Sequence, residues 1–496
     1  MKKTLFISFI LFANFFLASA QQESPLIEDF VKNIKGSSAF VFNDHLNVLR
    51  VNIDNENFEL LGLDDKMQVK WKTTLKGYII DADRFKGKIA ALASTEFSGM
   101  KGGSNNTYKA YMLNPENGKV LAEKIIYSAS DEYMFYPKMA TGEGAFFKIL
   151  IRQSGIKRKL HVGLPGPLAL ITLNSMAKDH TETMGLEVLD LDENLDSVNS
   201  FKPAIANGNF NMGVWNNKGD MFLSWFNGPS IDLYKYPANK KEPSAQLNVS
   251  VAFKPDKLAG PDENILFIPS KLNSNVVYYS VIYKNQDNDT ELGVGKFDFQ
   301  NNGKDFVKEV YDKQTMKAIK KNYISINKKI DDPDMGNSGK LKILYADEYN
   351  DKLFVTLSTV NHISSSISGG WYVGQDAHII NCYDQNLKRN FQQVLPSRYI
   401  YPAQLLETGS HFQKQKLYIV ANNRSGNTIN GLYAVLDINT GKWEKMEILP
   451  KKHIDKTDYV EGLSILWFNN NFVIPYFSLK GLMRSKLNIS LQQNTY

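Results

Sequence analysis

The stretch YAVLDINTGKWEK at 433–445 decides the fold. An apolar run meets Asp437, reverses through Asn439-Thr440-Gly441 and leaves as a second strand-like run from Lys442. The chemistry is that of a hairpin. The Asp side chain caps the turn, and Gly takes the positive φ that a tight reversal needs. The phrase recurs as LLGLDDKMQVKW from Leu60, YMLNPENGKVL from Tyr111, LEVLDLDENLDSV from Leu186, GKFDFQNNGKDFV from Gly295 and IINCYDQNLKRNF from Ile379, with a degenerate IDLYKYPANKKEPS from Ile231. That makes seven copies.

A second series alternates with the first. After short polar turns come the apolar runs LNVLRVN (from Leu46), KIAALAS (Lys88), GAFFKILI (Gly144), DMFLSWF (Asp220), NVVYYSVIY (Asn275), KLFVTLS (Lys352), KLYIVA (Lys416) and NFVIPYF (Asn471). These eight runs are short, β-branched or aromatic, and apolar on both faces. Such runs are strands packed between two neighbouring sheets. Alternating hairpins imply four-stranded antiparallel units repeated every 45–85 residues, which is an all-β fold, a β-propeller. Eight hairpins of one series against seven of the other predict eight blades, with seven as the alternative count. The shortfall predicts that the segment PLIEDFVKNI from Pro25 supplies the missing outer strand and closes the ring.

The opening phrase resembles the repeat of the quinoprotein-type (PQQ-like) propellers, through Ala434, Asp437, Thr440, Gly441, Lys442 and Trp443. Partial matches run from Leu63-Asp64 to Trp71 and from Asn114 to Lys119. The resemblance implies the fold. Some members of that superfamily are quinone- and Ca²⁺-dependent dehydrogenases and others are non-catalytic assembly scaffolds. The enzymes carry adjacent cysteines, whereas Cys382 is the only cysteine here, so no site residue is carried over. The Asn/Lys/Tyr-rich style resembles exported proteins of Bacteroidota-type bacteria.

Residues 1–20 read as a cleaved signal peptide: Lys2-Lys3, an apolar stretch, then Ala18-Ser19-Ala20 before Gln21. The apolar stretch is shorter than the ~20 residues a membrane span needs. The expectation is an exported monomer, periplasmic or extracellular, whose residues 21–496 form one propeller domain without a transmembrane segment. Without Lys2 and Lys3 the basic count falls from 58 to 56 against 52 acids, a net of +4, too slight for nucleic-acid binding. A lone thiol makes no internal disulfide, so stability rests on core burial.

In a blade with strands A, B, C and D, the A–B and C–D turns share one rim, and the B–C loops and D–A links share the other. The long connections fall on the second rim, with insertions expected at 152–185, 312–339 and 361–377, and further loops at 95–107, 285–291 and 422–430. Long loops on a rigid scaffold carry binding residues. The ligand-binding candidates are Lys159 and His161 in the first insertion, His362, Trp371, Tyr372 and Asp376 in the third, and Arg424 in the last loop. A short helix at 168–176 is expected to cover the channel mouth. Trp371-Tyr372 suits stacking on a flat apolar face such as a sugar ring. Asp287, Asp289 and Glu291 alternate in a way that suits Ca²⁺, without the full calcium-loop pattern, and a solvated acidic loop is the plainer expectation. No other cofactor is expected. No nucleophile, metalloprotease or nucleotide-binding motif occurs, so the catalytic residues are unassigned. The expected function is non-catalytic binding of a protein or glycan. A carbohydrate-cleaving propeller (glycoside hydrolase or polysaccharide lyase) and a cell-envelope scaffold are the alternatives.

Overall fold

The computed structural model describes residues 27–34, 36–95, 107–129, 134–154, 183–251, 265–326, 340–364, 371–402, 408–425, 428–449, 458–480 and 486–496. Strands form eight antiparallel sheets, seven of them built from strands successive in the chain. Blade 1 shows the plan: A Gly36–Asn43, B Leu46–Asn52, C Asn57–Leu63 and D Val69–Lys76. Burial follows position in the sheet. Strand B of blade 1 is buried almost throughout, while strand D alternates between buried and exposed. The A strands of neighbouring blades pack on one another, as Asn209–Trp215 does on Ile265–Pro269, so strand A is innermost.

The ring closes as the hairpin count required. Blade 8 draws its two middle strands from Asn471–Lys480 and Lys486–Thr495, and its outer strand from the N-terminal segment Ile27–Ile34, which pairs antiparallel with Lys486–Thr495. Its inner strand is split into Tyr459–Val460 and Leu466–Trp467 by a 3-10 turn. Among the described residues the apolar core divides into eight clusters, one for each blade–blade interface.

The repeated turn couples blades 1, 2, 3, 6 and 7 each to the one before it, in two forms. In the first, an Asp side chain accepts two backbone N–H groups, and the third residue after it adopts positive φ. Asp64 accepts from Lys66 and Gln68, Asp192 from Asn194 and Asp196, Asp384 from Asn386 and Lys388. The positive-φ residues are Met67, Leu195 and Leu387, with φ of 60°, 65° and 61°. A non-glycine residue there is strained by about 1–2 kcal/mol. Burial offsets it, since all three plug the core between their own blade and the preceding one. In the second form the positive-φ residue is Gly118 or Gly441, and the plug comes from the preceding blade. Trp71 lies over Gly118 and donates its indole N–H to Pro115 O at 2.7 Å. Phe391 lies over Gly441 in the same manner, and Gln393 donates to Gly441 O at 2.6 Å.

Two expectations fail. The phrase from Leu186 predicts a full hairpin, but blade 3 has three strands, followed only by single bridges Leu191↔Ser197 and Val188↔Phe201. Val188 and Phe201 exchange both backbone bonds, so the next such position opposite Leu186 falls on Pro203, which has no N–H to give. The link 312–339 also holds a helix, α1 (Lys313–Ile326), which the strand-based reading missed. It buries Met316, Ile319 and Tyr323 against the propeller.

Candidate functional site on the long-connection rim

The rim of A–B and C–D turns is stitched from blade to blade. Lys148 Nζ reaches Ala238 O at 2.6 Å, Lys235 Nζ reaches Asn275 Oδ1 at 2.7 Å, and Lys296 Nζ reaches Gln385 O at 3.1 Å. Glu348 Oε2 accepts from Ser270 Oγ at 2.7 Å and Lys271 N at 2.6 Å, and Tyr278 donates to Glu348 Oε1 at 3.1 Å. These polar groups are committed to the neighbouring blade. The strands add further links: Arg50 of blade 1 pairs with Asp81 of blade 2, and Lys138 Nζ donates to Gly213 O at 3.0 Å.

The opposite rim collects the long connections, including 155–182 between strands B and C of blade 3 and 312–339 between blades 5 and 6. Blade 6 also projects there. Its B and C strands, Lys352–Ser364 and Trp371–Tyr383, are 13 residues each, and strand D, Arg389–Pro402, is 14. At the tight rim they align with Leu353↔Tyr383, so the additional length lies at the opposite end. The expected loop 361–377 is therefore a paired hairpin, with Asn361↔Gly374 and Ser364↔Trp371 in register. The run of Ser and Gly suggested a loop, yet the β-forming Trp371-Tyr372-Val373 continues the ladder. The loop expected at 422–430 is likewise a hairpin, with Arg424 opposite Ile429.

Beneath the blade 6 projection lies a buried polar network. Register shifts in strands B and C turn Thr359 Oγ1 toward the backbone N–H groups of Asp376 and Ala377, at 3.2 and 3.1 Å. Gln375 Nε2 donates to Ser358 Oγ and lies 3.1 Å from His378 Nδ1, while His378 Nε2 lies 2.8 Å from Thr408 Oγ1. Burial drives the His378 pKa down to about 3, so the ring is neutral at physiological pH and too weakly basic to serve as a general base there. Asp376 Oδ1 sits 3.6 Å from Arg398 Nε. Tyr323 of α1 is fully buried beside this pair. Its phenol is raised first by burial and then by the Asp376 charge, with Arg398 opposing. Helix, strand C and strand D thus meet at one polar junction that braces the projecting hairpin.

Of the predicted residues, His362, Trp371, Tyr372 and Asp376 belong to this hairpin, and Arg424 to the hairpin of blade 7 on the same rim. The side chains of His362, Trp371 and Tyr372 lie outside the described part, as do Lys159, His161 and the segment 168–176. Asp376 is a buried ion-pair partner, and not a loop residue. Glu291 is not in an acidic loop either. It is the second residue of strand C of blade 5, Thr290–Asp298, where its carboxylate accepts from Tyr283 OH at 2.6 Å and Asn285 Nδ2 at 3.1 Å, and lies 3.6 Å from Lys308. Burial pushes the Glu291 pKa up, but these partners outweigh it and hold it below the usual range. Asp289 spends its N–H on Asn285 Oδ1 within the turn. Among the described residues no group of three His, Cys, Asp or Glu side chains is placed to hold a metal. Cys382 is buried and its thiol pushed up to about 12, which makes it inert. Tyr323, Gln375, Arg398 and Thr408 escaped sequence reading because the partners are brought together only by the helix and the ladder.

No protein-family model matches the sequence, and none of the curated proteins does. Among solved structures the chain overlaps BamB from Moraxella catarrhalis with a TM-score of 0.42 at 8% identity, over 93% of this chain and 100% of that one. It overlaps the WD40 domain of SCAP from fission yeast with a TM-score of 0.42 at 9% identity, over 95% and 98%. An uncharacterized protein from Listeria monocytogenes EGD-e overlaps with a TM-score of 0.38 at 12% identity, over 85% and 95%. These distant likenesses carry no functional reading. The sheet order itself establishes the eight-bladed propeller.

Proposed function

We propose that the protein is an exported, non-catalytic propeller that binds a protein or glycan through its long-connection rim, with the blade 6 hairpin as the principal element. The observation that carries this reading is the asymmetry of the ring. One rim ties its polar groups into blade-to-blade bonds, whereas the other bears the long connections and a braced hairpin that extends past the sheet. A rigid scaffold that presents irregular chain on one side is a binding architecture. The neutral, fully bonded His378 and the paired Asp376 support a bracing role for the network over an acid–base one. Export rests on residues 1–20, with cleavage before Gln21.

The test is a screen of immobilised glycans and envelope proteins against the full chain and a truncated variant. In the variant, Val360 and Gln375, which pair across the hairpin, are joined through Asn-Gly, the dipeptide suited to a two-residue turn. Loss of the bound partner with unchanged thermal stability is expected. An identical binding profile for both proteins would remove the hairpin from the reading.

A further inference from the structure

Helix α1 breaks two local rules on its solvent face. Its sequence, KQTMKAIKKNYISI, contains no acidic residue. Lys313, Lys317 and Lys321 recur every fourth position, and Lys320 stands beside them. At 100° per residue the four fall within about 100° of the circumference, a stripe that begins about 40° from Met316 and borders the face buried by Met316, Ile319 and Tyr323. Lys313, Lys317 and Lys321 are exposed and form no ion pair among the described residues. Like charges four apart on a helix repel one another, and Lys313 occupies the first turn, where the helix dipole disfavours a cation. Asp312 alone answers that dipole, as the N-cap that accepts from Thr315 N at 2.7 Å. The sequence thus maintains an arrangement that weakens the isolated helix, and an anionic partner would relieve it. Departures from local consistency of this kind mark functional sites.

We propose that this lysine stripe is a docking track for an acidic polysaccharide that carries carboxylates along its chain. This deepens the proposed function and rests on it, because α1 lies in the link between blades 5 and 6, on the long-connection rim. Successive lysines are about 6 Å apart along the axis, which makes a linear track about 12 Å long and not a pocket. Each ammonium is a point charge with rotatable donors, suited to carboxylates. Two-pronged phosphate recognition favours arginine, and α1 has none. Gln314 and Ser325 flank the stripe on its exposed side and offer hydrogen bonds to hydroxyls. A protein partner would seek buried aromatic or aliphatic anchors, and the stripe offers only Ile324, 44% exposed. A membrane would need the helix's apolar face, which is already packed against the propeller.

The experiment uses the full chain, soluble polygalacturonate as probe and neutral dextran as control, at low and physiological salt. The triple variant Lys313→Glu/Lys317→Glu/Lys321→Glu is expected to melt at the same temperature or higher and to bind polygalacturonate about tenfold or more weakly. The triple Lys→Gln variant serves the same purpose if charge reversal perturbs folding. Undiminished binding by either folded variant overturns the proposal. So does failure of the unaltered chain to bind polygalacturonate at low salt, or selective binding to anionic vesicles or an acidic protein instead. If the truncated hairpin abolishes partner binding in the screen while polygalacturonate does not bind, the rim reading stands and the stripe assignment falls.

Discussion

The contact between Trp71 and Gly118 makes a quantitative claim about what holds the ring together. Trp71 is 8% exposed, inserted between blades 1 and 2, and its N–H reaches Pro115 O at 2.7 Å. Trp71→Ala removes a buried indole, worth about 3–5 kcal/mol, and leaves the Pro115 carbonyl without its donor, adding about 1 kcal/mol. Trp71→Phe keeps most of the ring and is expected to lose about 1–2 kcal/mol. Gly118→Ala acts on the same contact from the other side. At φ of 68° it imposes about 1–2 kcal/mol of backbone strain, and the added Cβ overlaps the Trp71 ring for about 1–3 kcal/mol more. In the Trp71→Ala background the overlap with the ring is gone, and the backbone component and the contact with Thr73 Oγ1 remain. Urea unfolding followed by circular dichroism, across the two single variants and the double, is expected to give a coupling of about 1–3 kcal/mol. A Gly118→Ala penalty that is identical in both backgrounds would refute the idea that the glycine exists to receive the indole.

The other form of the turn makes the opposite prediction. Leu387→Ala keeps the positive φ and loses about 2–5 kcal/mol of burial, whereas Leu387→Gly loses the same burial but sheds about 1–2 kcal/mol of strain. The glycine variant is therefore expected to melt above the alanine variant, and the reverse order would show that the residue is not strained. His378 is neutral in the fold with a pKa near 3, while the unfolded chain takes its proton at about 6.5. The unfolded state then binds more protons between those values, so stability falls as pH drops from about 6.5 toward 3. Melting temperature against pH is expected to lose part of that slope in His378→Gln, and an unchanged slope would remove His378 as its source. Deleting residues 27–34 strips the outer strand from blade 8 and exposes Ile489 and Leu491 along an open edge. A large fall in melting temperature together with self-association by light scattering is expected, and a monomer of unchanged stability would show that closure does not depend on this strand.

How much of this was legible in the sequence differs between the two rims, for a physical reason. The tight rim is written locally. Asp64, Asp192, Asp384 and Asp437 each bond to backbone within four residues, so the reversal is encoded in the string that makes it. The N-terminal closure was legible for a related reason, because one hairpin series was a member short and strand pairing leaves no unfilled lane unexplained. Pro203 was visible too, but its effect depends on standing opposite Leu186, which is a matter of register. The site fared worse. Thr408 meets His378 across 30 residues, and Tyr323 approaches Asp376 and Arg398 only because α1 folds back on blade 6. Sequence spacing carries no trace of such contacts.

The two forms of the turn also suggest why the long-connection rim can accommodate added chain. At five interfaces a plug sits at the tight rim, supplied either by the turn, as Met67, Leu195 and Leu387 do, or by the preceding blade, as Trp71 and Phe391 do over their glycines. Blade 2 has the small Ala122 at the strand position that Trp71 holds in blade 1, and the next turn answers with Leu195. Because the plugs sit at that end, a connection at the other end can lengthen, as 155–182 does, without removing one. Loop closure adds only about 0.6 kcal/mol for each doubling of loop length, which is small beside the several kcal/mol held by one buried indole. On the proposed reading, fold and recognition lie at opposite ends of the same strands. A change that alters binding without altering stability belongs on the long-connection rim, and a change that does the converse belongs on the other.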